Sequence, residues 1–102
     1  MNGGIDMQKV TVLFPCQPGK GKEMLEILTA ALVETRAYDG CHGVETFVDE
    51  DDPDAVLLVE EWETRGHHER YMTWRAENGM GELLQPILAK PLDVHYLDAR
   101  PI

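Results

Sequence analysis

Residues 55–59 are apolar at five consecutive positions, and the run closes as Glu60-Glu61-Trp62-Glu63. A strand that is covered on one face alternates apolar with polar residues, so this run predicts a strand that is covered on both faces. Helices of the same chain can cover one of them. In a chain of 102 residues the second cover is expected to be another copy, and the pattern therefore predicts a homodimer formed through the sheet.

The rest of the chain divides by periodicity into three further strands and three helices. Apolar residues at helical spacing predict a long helix over 20–37, a second over 65–77 with Thr64 as its N-cap, and a short third over 82–89. Alternation and β-branched residues predict strands over 8–14, 41–48 and 92–97, besides the strand over 56–62.

The predicted order of the main elements, β-α-β-β-α-β, is that of a ferredoxin-like α+β fold. Right-handed crossovers then give a four-stranded antiparallel sheet with both helices on one face and strands one and three in the centre. The acidic, proline-containing segment 49–54 is predicted to be a solvated connection of hairpin length. Residues 1–7 are predicted to be a flexible leader before a single domain over 8–102.

Composition narrows the possible partners. Nineteen acidic and nine basic side chains give a net charge of −10, which repels phosphate backbones, so we expect no nucleic acid partner. No apolar run approaches the roughly 20 residues of a membrane span, so we expect no membrane partner either. Cys16 and Cys41, without an export signal, favour free thiols in the cytoplasm.

The second predicted helix carries most of the side chains that could do chemistry. One of its two neighbouring stripes must face the sheet. Aromatic side chains at this spacing can simply be core, or their polar tips can converge on a small-molecule pocket. The first stripe is His67, Tyr71 and Trp74, and the second is His68, Met72 and Arg75.

Two further candidates, Trp62 and Arg36, leave a similar choice. Trp62 ends the third strand, where it can be a packing anchor or part of a pocket. Arg36, near the end of the first helix, complements the helix dipole or stabilises a bound phenolate. A metal site is not expected, because the adjacent His67 and His68 point about 100° apart on a helix and no cysteine pair has ligand spacing.

Residues 8–97 resemble the antibiotic biosynthesis monooxygenase family, and most closely its quinol monooxygenase-like branch. The resemblance rests on Trp62 within Glu60-Glu61-Trp62-Glu63, together with Pro18-Gly19, residues 40–43, the acidic hairpin and Pro91. Tyrosine and asparagine positions of some antibiotic-tailoring members correspond here to His68 and Leu58. The histidine common on the family's second helix is replaced by Tyr71, and haem degradation is not expected.

The resemblance implies a dimeric α+β barrel that acts without a cofactor on a quinol-like or polyphenolic aromatic, using molecular oxygen. His68 is then the expected general base, with Tyr71 and Trp62 orienting the ring. The alternatives are a ligand-binding or stress-response barrel without turnover, and a structural dimer whose cleft is filled by Tyr71 and Trp74. The expected substrate-binding residues are Phe14, Arg36, Leu58, Met72, Trp74 and Arg75.

Overall fold

The computed structural model describes residues 6–102, which form four strands and three helices around one core. The sheet is antiparallel throughout, with strand order β2-β3-β1-β4. The ferredoxin-like prediction is confirmed, including the central positions of β1 and β3, and the predicted leader falls largely outside the described residues. The elements are β1 (Gln8–Pro15), α1 (Gly21–Ala37), β2 (Cys41–Asp49), β3 (Asp52–Trp62), α2 (Arg65–Glu77), α3 (Met80–Leu84) and β4 (Asp93–Leu97).

The long helix α1 buries the stripe that its sequence predicts. Met24, Leu28, Leu32 and Thr35 are the buried side chains, at intervals of three or four residues, and they pack against the sheet. Thr35, the polar member of this stripe, brings a hydroxyl into the core near the C-terminal end of the helix.

The N-terminus of helix α1 is held by an aspartate of strand β3. Asp54 accepts hydrogen bonds from the backbone N–H groups of Gly19 and Gly21, at 3.0 and 2.9 Å, and so satisfies donors that the helix itself leaves without partners. A Cβ atom at Gly21 would lie 2.0 Å from the carbonyl oxygen of Pro53, so only glycine permits this approach. The prediction that all of segment 49–54 is solvated was therefore wrong for Asp54.

The β2–β3 hairpin is also tighter than predicted. Strand β3 begins at Asp52, and the turn consists of Glu50 and Asp51 alone. Pro53 lies in the strand where the register with β2 becomes irregular and beyond the residues that pair with β1, which is where a residue without an N–H group is tolerated.

The two following helices differ from each other in how well the sequence predicts them. Helix α2 has the predicted bounds, and the hydroxyl of its N-cap Thr64 accepts from the backbone N–H of His67. Helix α3 covers Met80–Leu84 instead of 82–89: Gly79, at a φ of 90°, precedes it and Pro86 follows its C-cap. Gly81 lies inside α3, although glycine lowers helix propensity.

Register divides the side chains of the sheet between two faces. Val10, Val12 and Phe14 alternate with their neighbours in β1 and lie under the helices, and Leu58 of β3 pairs beside Val12 on the same face. The opposite face, which no element among residues 6–102 covers, carries a row that crosses three strands. That row, the bare-face row, is Leu13, Leu57 and Phe47.

Within residues 6–102, no helix is both long enough and apolar enough to cross a membrane.

Candidate functional site

A cavity of about 50 Å³ lies between the helices and the covered face of the sheet. Most of its wall is aliphatic, aromatic or thioether, contributed by β1, β3, the three helices and the segment before β4. Its polar groups come from four residues. These are Thr35, Glu60, Tyr71 and Arg75.

The first polar cluster ties α2 to α1 through the hydroxyl of Tyr71. This oxygen lies 2.6 Å from the hydroxyl oxygen of Thr35 and accepts a hydrogen bond of 2.8 Å from Nε of Arg75. The same guanidinium donates to the carbonyl oxygen of Ala31 at 2.7 Å and to the carboxylate of Glu34 at 3.0 Å. A positive charge is thereby fixed at the cavity wall with each of its nitrogens engaged.

The second polar cluster contains two buried titratable groups. Glu60 is 2% exposed and His68 is 0% exposed, and Nε1 of Trp62 donates to Oε1 of Glu60 at 2.7 Å. Nδ1 of His68 lies 2.8 Å from the hydroxyl oxygen of Tyr96. Nε2 of His68 lies 3.6 Å from Oε1 of Glu60, which is too long for a hydrogen bond.

Burial disfavours the charged form of both titratable groups. Loss of hydration raises the pKa of Glu60, and the hydrogen bond from Trp62 opposes this shift only in part. Loss of hydration also lowers the pKa of His68 to about 4, against an opposing effect of Glu69. His68 is therefore a neutral imidazole near pH 7, and both shifts oppose formation of an ion pair with Glu60.

Aromatic rings connect the two clusters. The ring of Tyr71 lies 5.1 Å from that of Trp62 and 5.3 Å from that of Tyr38, and the ring of His68 lies edge-on to Trp62 at 5.3 Å. Ring pairs at these separations stabilise one another and restrict rotation. The polar atoms at the cavity are thus presented by a rigid support.

The structure brings five of the residues predicted for substrate binding or catalysis to the cavity wall. Two others, Trp62 and His68, lie behind the wall, with Glu60 as the group that lines the cavity beside them. The five at the wall are Phe14, Leu58, Tyr71, Met72 and Arg75.

The remaining two predicted residues lie elsewhere. Arg36 is exposed and donates to the carbonyl oxygen of Val44 in β2 at 3.1 Å, outside the cavity. Trp74 packs against Tyr38 and beneath the guanidinium of Arg75, outside the cavity.

The buried face of α2 also differs from both predicted stripes. It consists of His68, Tyr71 and Arg75, taken from the two stripes together. The helix is rotated so that the boundary between the stripes, and not the centre of either, points at the core.

Sequence reasoning missed three polar residues of the site. Glu60 could have been found, because alternation along β3 places it on the same face as Leu58 and Trp62. Helical spacing places Thr35 on the buried face of α1, but its position gives no sign of a partner. Tyr96 carries no local signal, because its contact with His68 joins residues 28 positions apart.

Among residues 6–102, no three His, Cys, Asp or Glu side chains are grouped so that they could hold a metal ion. Cys16 and Cys41 are free cysteines, and burial raises the thiol pKa of each.

Solved structures of several proteins share this fold. A conserved protein of Methanosarcina mazei has a TM-score of 0.80 at 18% identity, with 94% of this chain and 95% of that chain covered. A structure described as a putative antibiotic biosynthesis monooxygenase of Bordetella bronchiseptica has a TM-score of 0.73 at 24% identity, with 92% and 97% covered. The ActVA-Orf6 monooxygenase of Streptomyces coelicolor, solved with nanaomycin D, has a TM-score of 0.75 at 20% identity, with 94% and 89% covered.

At the level of sequence, the chain is similar to a family model and not to an individual curated protein. No curated protein matches the chain significantly. Residues 7–75, more than half of the chain, match the family model described as antibiotic biosynthesis monooxygenase. With this match and the shared fold, the chain belongs to the antibiotic biosynthesis monooxygenase family.

Proposed function

We propose that this protein is a cofactor-independent monooxygenase that acts on a quinol-like or polyphenolic aromatic small molecule. The observation that carries the proposal is Glu60 in the wall of a mainly apolar cavity, with the neutral imidazole of His68 behind it at 3.6 Å. Membership of the monooxygenase family supports the reaction class. An apolar cavity with a few fixed polar groups suits an aromatic ring that carries hydroxyl groups.

The chemistry requires little more than proton transfer and exclusion of water. A phenolic hydroxyl in the cavity gives up its proton with neutral His68, behind the wall, as the base, and the resulting anion is rich enough in electrons to reduce oxygen directly. One oxygen atom enters the substrate and the other leaves as water, with the substrate supplying the electrons. Because burial lowers the pKa of His68 to about 4, the transfer depends on the guanidinium of Arg75, which stabilises the negative charge in the cavity. Tyr71 orients the ring at the wall, and Trp62 holds Tyr71 and Glu60 in place from behind.

The ring needs more room than the resting cavity provides. A cavity of roughly 150 Å³ is known to hold benzene, whereas this one measures about 50 Å³. Three methionines, Met24, Met72 and Met80, lie in the wall. Their unbranched side chains change rotamer easily, so they are the groups that we expect to move when a ligand binds.

The proposal includes a homodimer in the cytoplasm. The bare-face row and the half-buried Val59 beside it form an apolar surface on the sheet, of the kind that a second copy would cover. Two free cysteines are in keeping with a reducing compartment.

Oxygen uptake with menadiol tests the proposed reaction. We expect wild-type protein to exceed the uncatalysed background and His68→Ala to lose about 10²- to 10⁴-fold, because that range is typical of a general base. His42→Ala is the matched control, since His42 is an exposed histidine on β2. Equal rates for wild type and His68→Ala would show that His68 is not the general base. A wild-type rate at background would show that the protein does not catalyse this reaction.

A second candidate function is ligand binding without turnover. It is favoured by the predominance of apolar residues around the cavity. Aromatic ligands would then raise the melting temperature of the protein, while oxygen consumption with menadiol stayed at background.

A further inference from the structure

Glu60 stands between the cavity and the histidine that would receive a proton. Glu60 lines the cavity, whereas His68 does not, although both are buried. The hydrogen bond from Trp62 fixes Oε1 of Glu60 on the side that faces Nε2 of His68. A ligand in the cavity therefore meets the carboxyl group before it can reach the imidazole.

The imidazole has one satisfied nitrogen and one that is left open. Nδ1 pairs with the hydroxyl of Tyr96, while Nε2 has no hydrogen-bond partner among the described residues. A buried polar atom without a partner destabilises the folded state. Oε1 of Glu60 lies 3.6 Å from Nε2, and a shift of under 1 Å would bring the two atoms into hydrogen-bond range.

Other charged or titratable groups near Glu60 are already engaged. From α2, Arg75 is paired with Glu34 of α1, and its Nε holds the hydroxyl of Tyr71. From β4, Tyr96 is bonded to His68, and burial raises the pKa of its hydroxyl. Cys41 of β2 has a thiol whose pKa is raised by burial, so it is uncharged near pH 7. His68 is therefore the group that can exchange a proton with Glu60.

We propose that Glu60 relays the proton of a phenolic ligand to His68, an inference that rests on the proposed function for its role in catalysis. The ligand O–H bond breaks as Oε2 of Glu60 takes up the proton, and Glu60 releases its own proton from Oε1 to Nε2 of His68. In this relay Glu60 begins and ends as a carboxylic acid, and the products are a ligand oxyanion and an imidazolium. Because burial disfavours the imidazolium, the transfer depends on the guanidinium of Arg75, which stabilises the oxyanion in the cavity. The imidazolium keeps its hydrogen bond from Nδ1 to Tyr96.

The relay can be measured without any oxygen chemistry. In anaerobic stopped-flow mixing with 4-nitrophenol, at a pH at which the free phenol is protonated, the coloured phenolate reports ionisation of the bound molecule. We expect wild type to ionise it rapidly and Glu60→Gln to be slower by about 10²-fold or more, because an amide cannot pass on a proton. Glutamine keeps the size of the side chain and an acceptor for Trp62, so the fold should survive, which near-ultraviolet circular dichroism checks.

Glu61→Gln is the matched control. Glu61 is the next residue of β3, lies on the opposite face and pairs with Lys9 at 3.1 Å. Equal ionisation rates in the two variants, or no ionisation by wild type, would overturn the relay. A buried carboxylic acid band in the infrared spectrum near pH 7, present in wild type and Glu61→Gln but absent from Glu60→Gln, supports it, and a wild-type spectrum without the band contradicts it.

The two proposals fail in different ways. Fast ionisation that depends on Glu60, without menadiol-dependent oxygen uptake, would contradict the proposed oxygenase activity and support the relay. Menadiol-dependent oxygen uptake at the same rate in Glu60→Gln and Glu61→Gln would contradict the relay and support the oxygenase activity.

Discussion

At the scale of single residues, Glu60 and His68 are two buried titratable groups whose charged forms are both disfavoured. Burial raises the pKa of Glu60 and lowers that of His68 to about 4. Each keeps one hydrogen bond, Glu60 from Trp62 and His68 with Tyr96. Two groups with perturbed pKa values, one of them in a cavity wall, are more typical of a functional site than of a packing arrangement.

His68 makes the folded state sensitive to acid. Because its pKa falls from 6.5 to about 4 on folding, the unfolded chain binds a proton that the folded chain does not, and stability falls as the pH drops across that window. The full effect is roughly 3 kcal/mol. Glu60 acts with the opposite sign, since its raised pKa stabilises the fold at low pH and the contribution is lost as the pH rises through the folded value.

Urea unfolding of wild type and His68→Phe, from about pH 7 to about pH 4, measures the effect. We expect the wild type to lose more stability than the variant, by a difference on the order of 3 kcal/mol. Parallel pH profiles would show that the ring is not held neutral.

At the scale of elements, the position of α1 depends on a contact from outside the helix. Lys20, the N-cap residue, makes no capping hydrogen bond through its side chain, and Asp54 of β3 takes over this role. Because α1 supplies Thr35 and part of the cavity wall, the contact between Asp54 and the N-terminus of α1 also positions that part of the wall.

Asp54→Ala should therefore reduce the free energy of unfolding by about 1–2 kcal/mol, the range for loss of a helix cap. Asp51→Ala is the control, because Asp51 is exposed in the hairpin turn, and we expect a change within about 0.5 kcal/mol. Thermal or urea unfolding compares the two variants. Equal losses would mean that the bonds to Gly19 and Gly21 do not stabilise α1.

At the scale of the whole molecule, helices cover one face of the sheet, and no element among residues 6–102 covers the other. The covered face packs under the helices, while the bare-face row leaves Phe47 48% exposed. Exposed apolar side chains in adjacent strands favour association with another surface. The charged residues around the row, among them Glu45 and Asp93, would form a polar rim.

We expect the wild type to sediment as a dimer at micromolar concentration and Leu57→Glu to sediment as a monomer, because the new charge would be buried in the middle of the proposed interface. Val33→Glu is the control: Val33 is apolar and 67% exposed, but it lies on α1. A monomeric wild type, or a Leu57→Glu variant that remains dimeric, would contradict association through this face.

The fold was largely predictable from the chain because its elements follow local rules. Period-two and period-3.6 patterns place the strands and the helices α1 and α2, and the unbroken apolar run in β3 identifies a central strand. The errors fall at the β2–β3 turn and at α3. At α3, backbone hydrogen bonds of Ile87 and Ala89 with Gln17 and Pro15, which are distant in the chain, outweigh the local preference for a longer helix.

The candidate site depended on tertiary structure to a far greater degree. The sequence alone determined the residue types on α2 and at the end of β3, and hence the chemistry that is possible. Only the folded structure decided the rotation of α2, which sends His68, Tyr71 and Arg75 inward and leaves Trp74 outside, and the meeting of Glu60 with His68 and Tyr96. Periodicity defines a helix face to within about one residue, and these contacts require the angle at which packed elements meet.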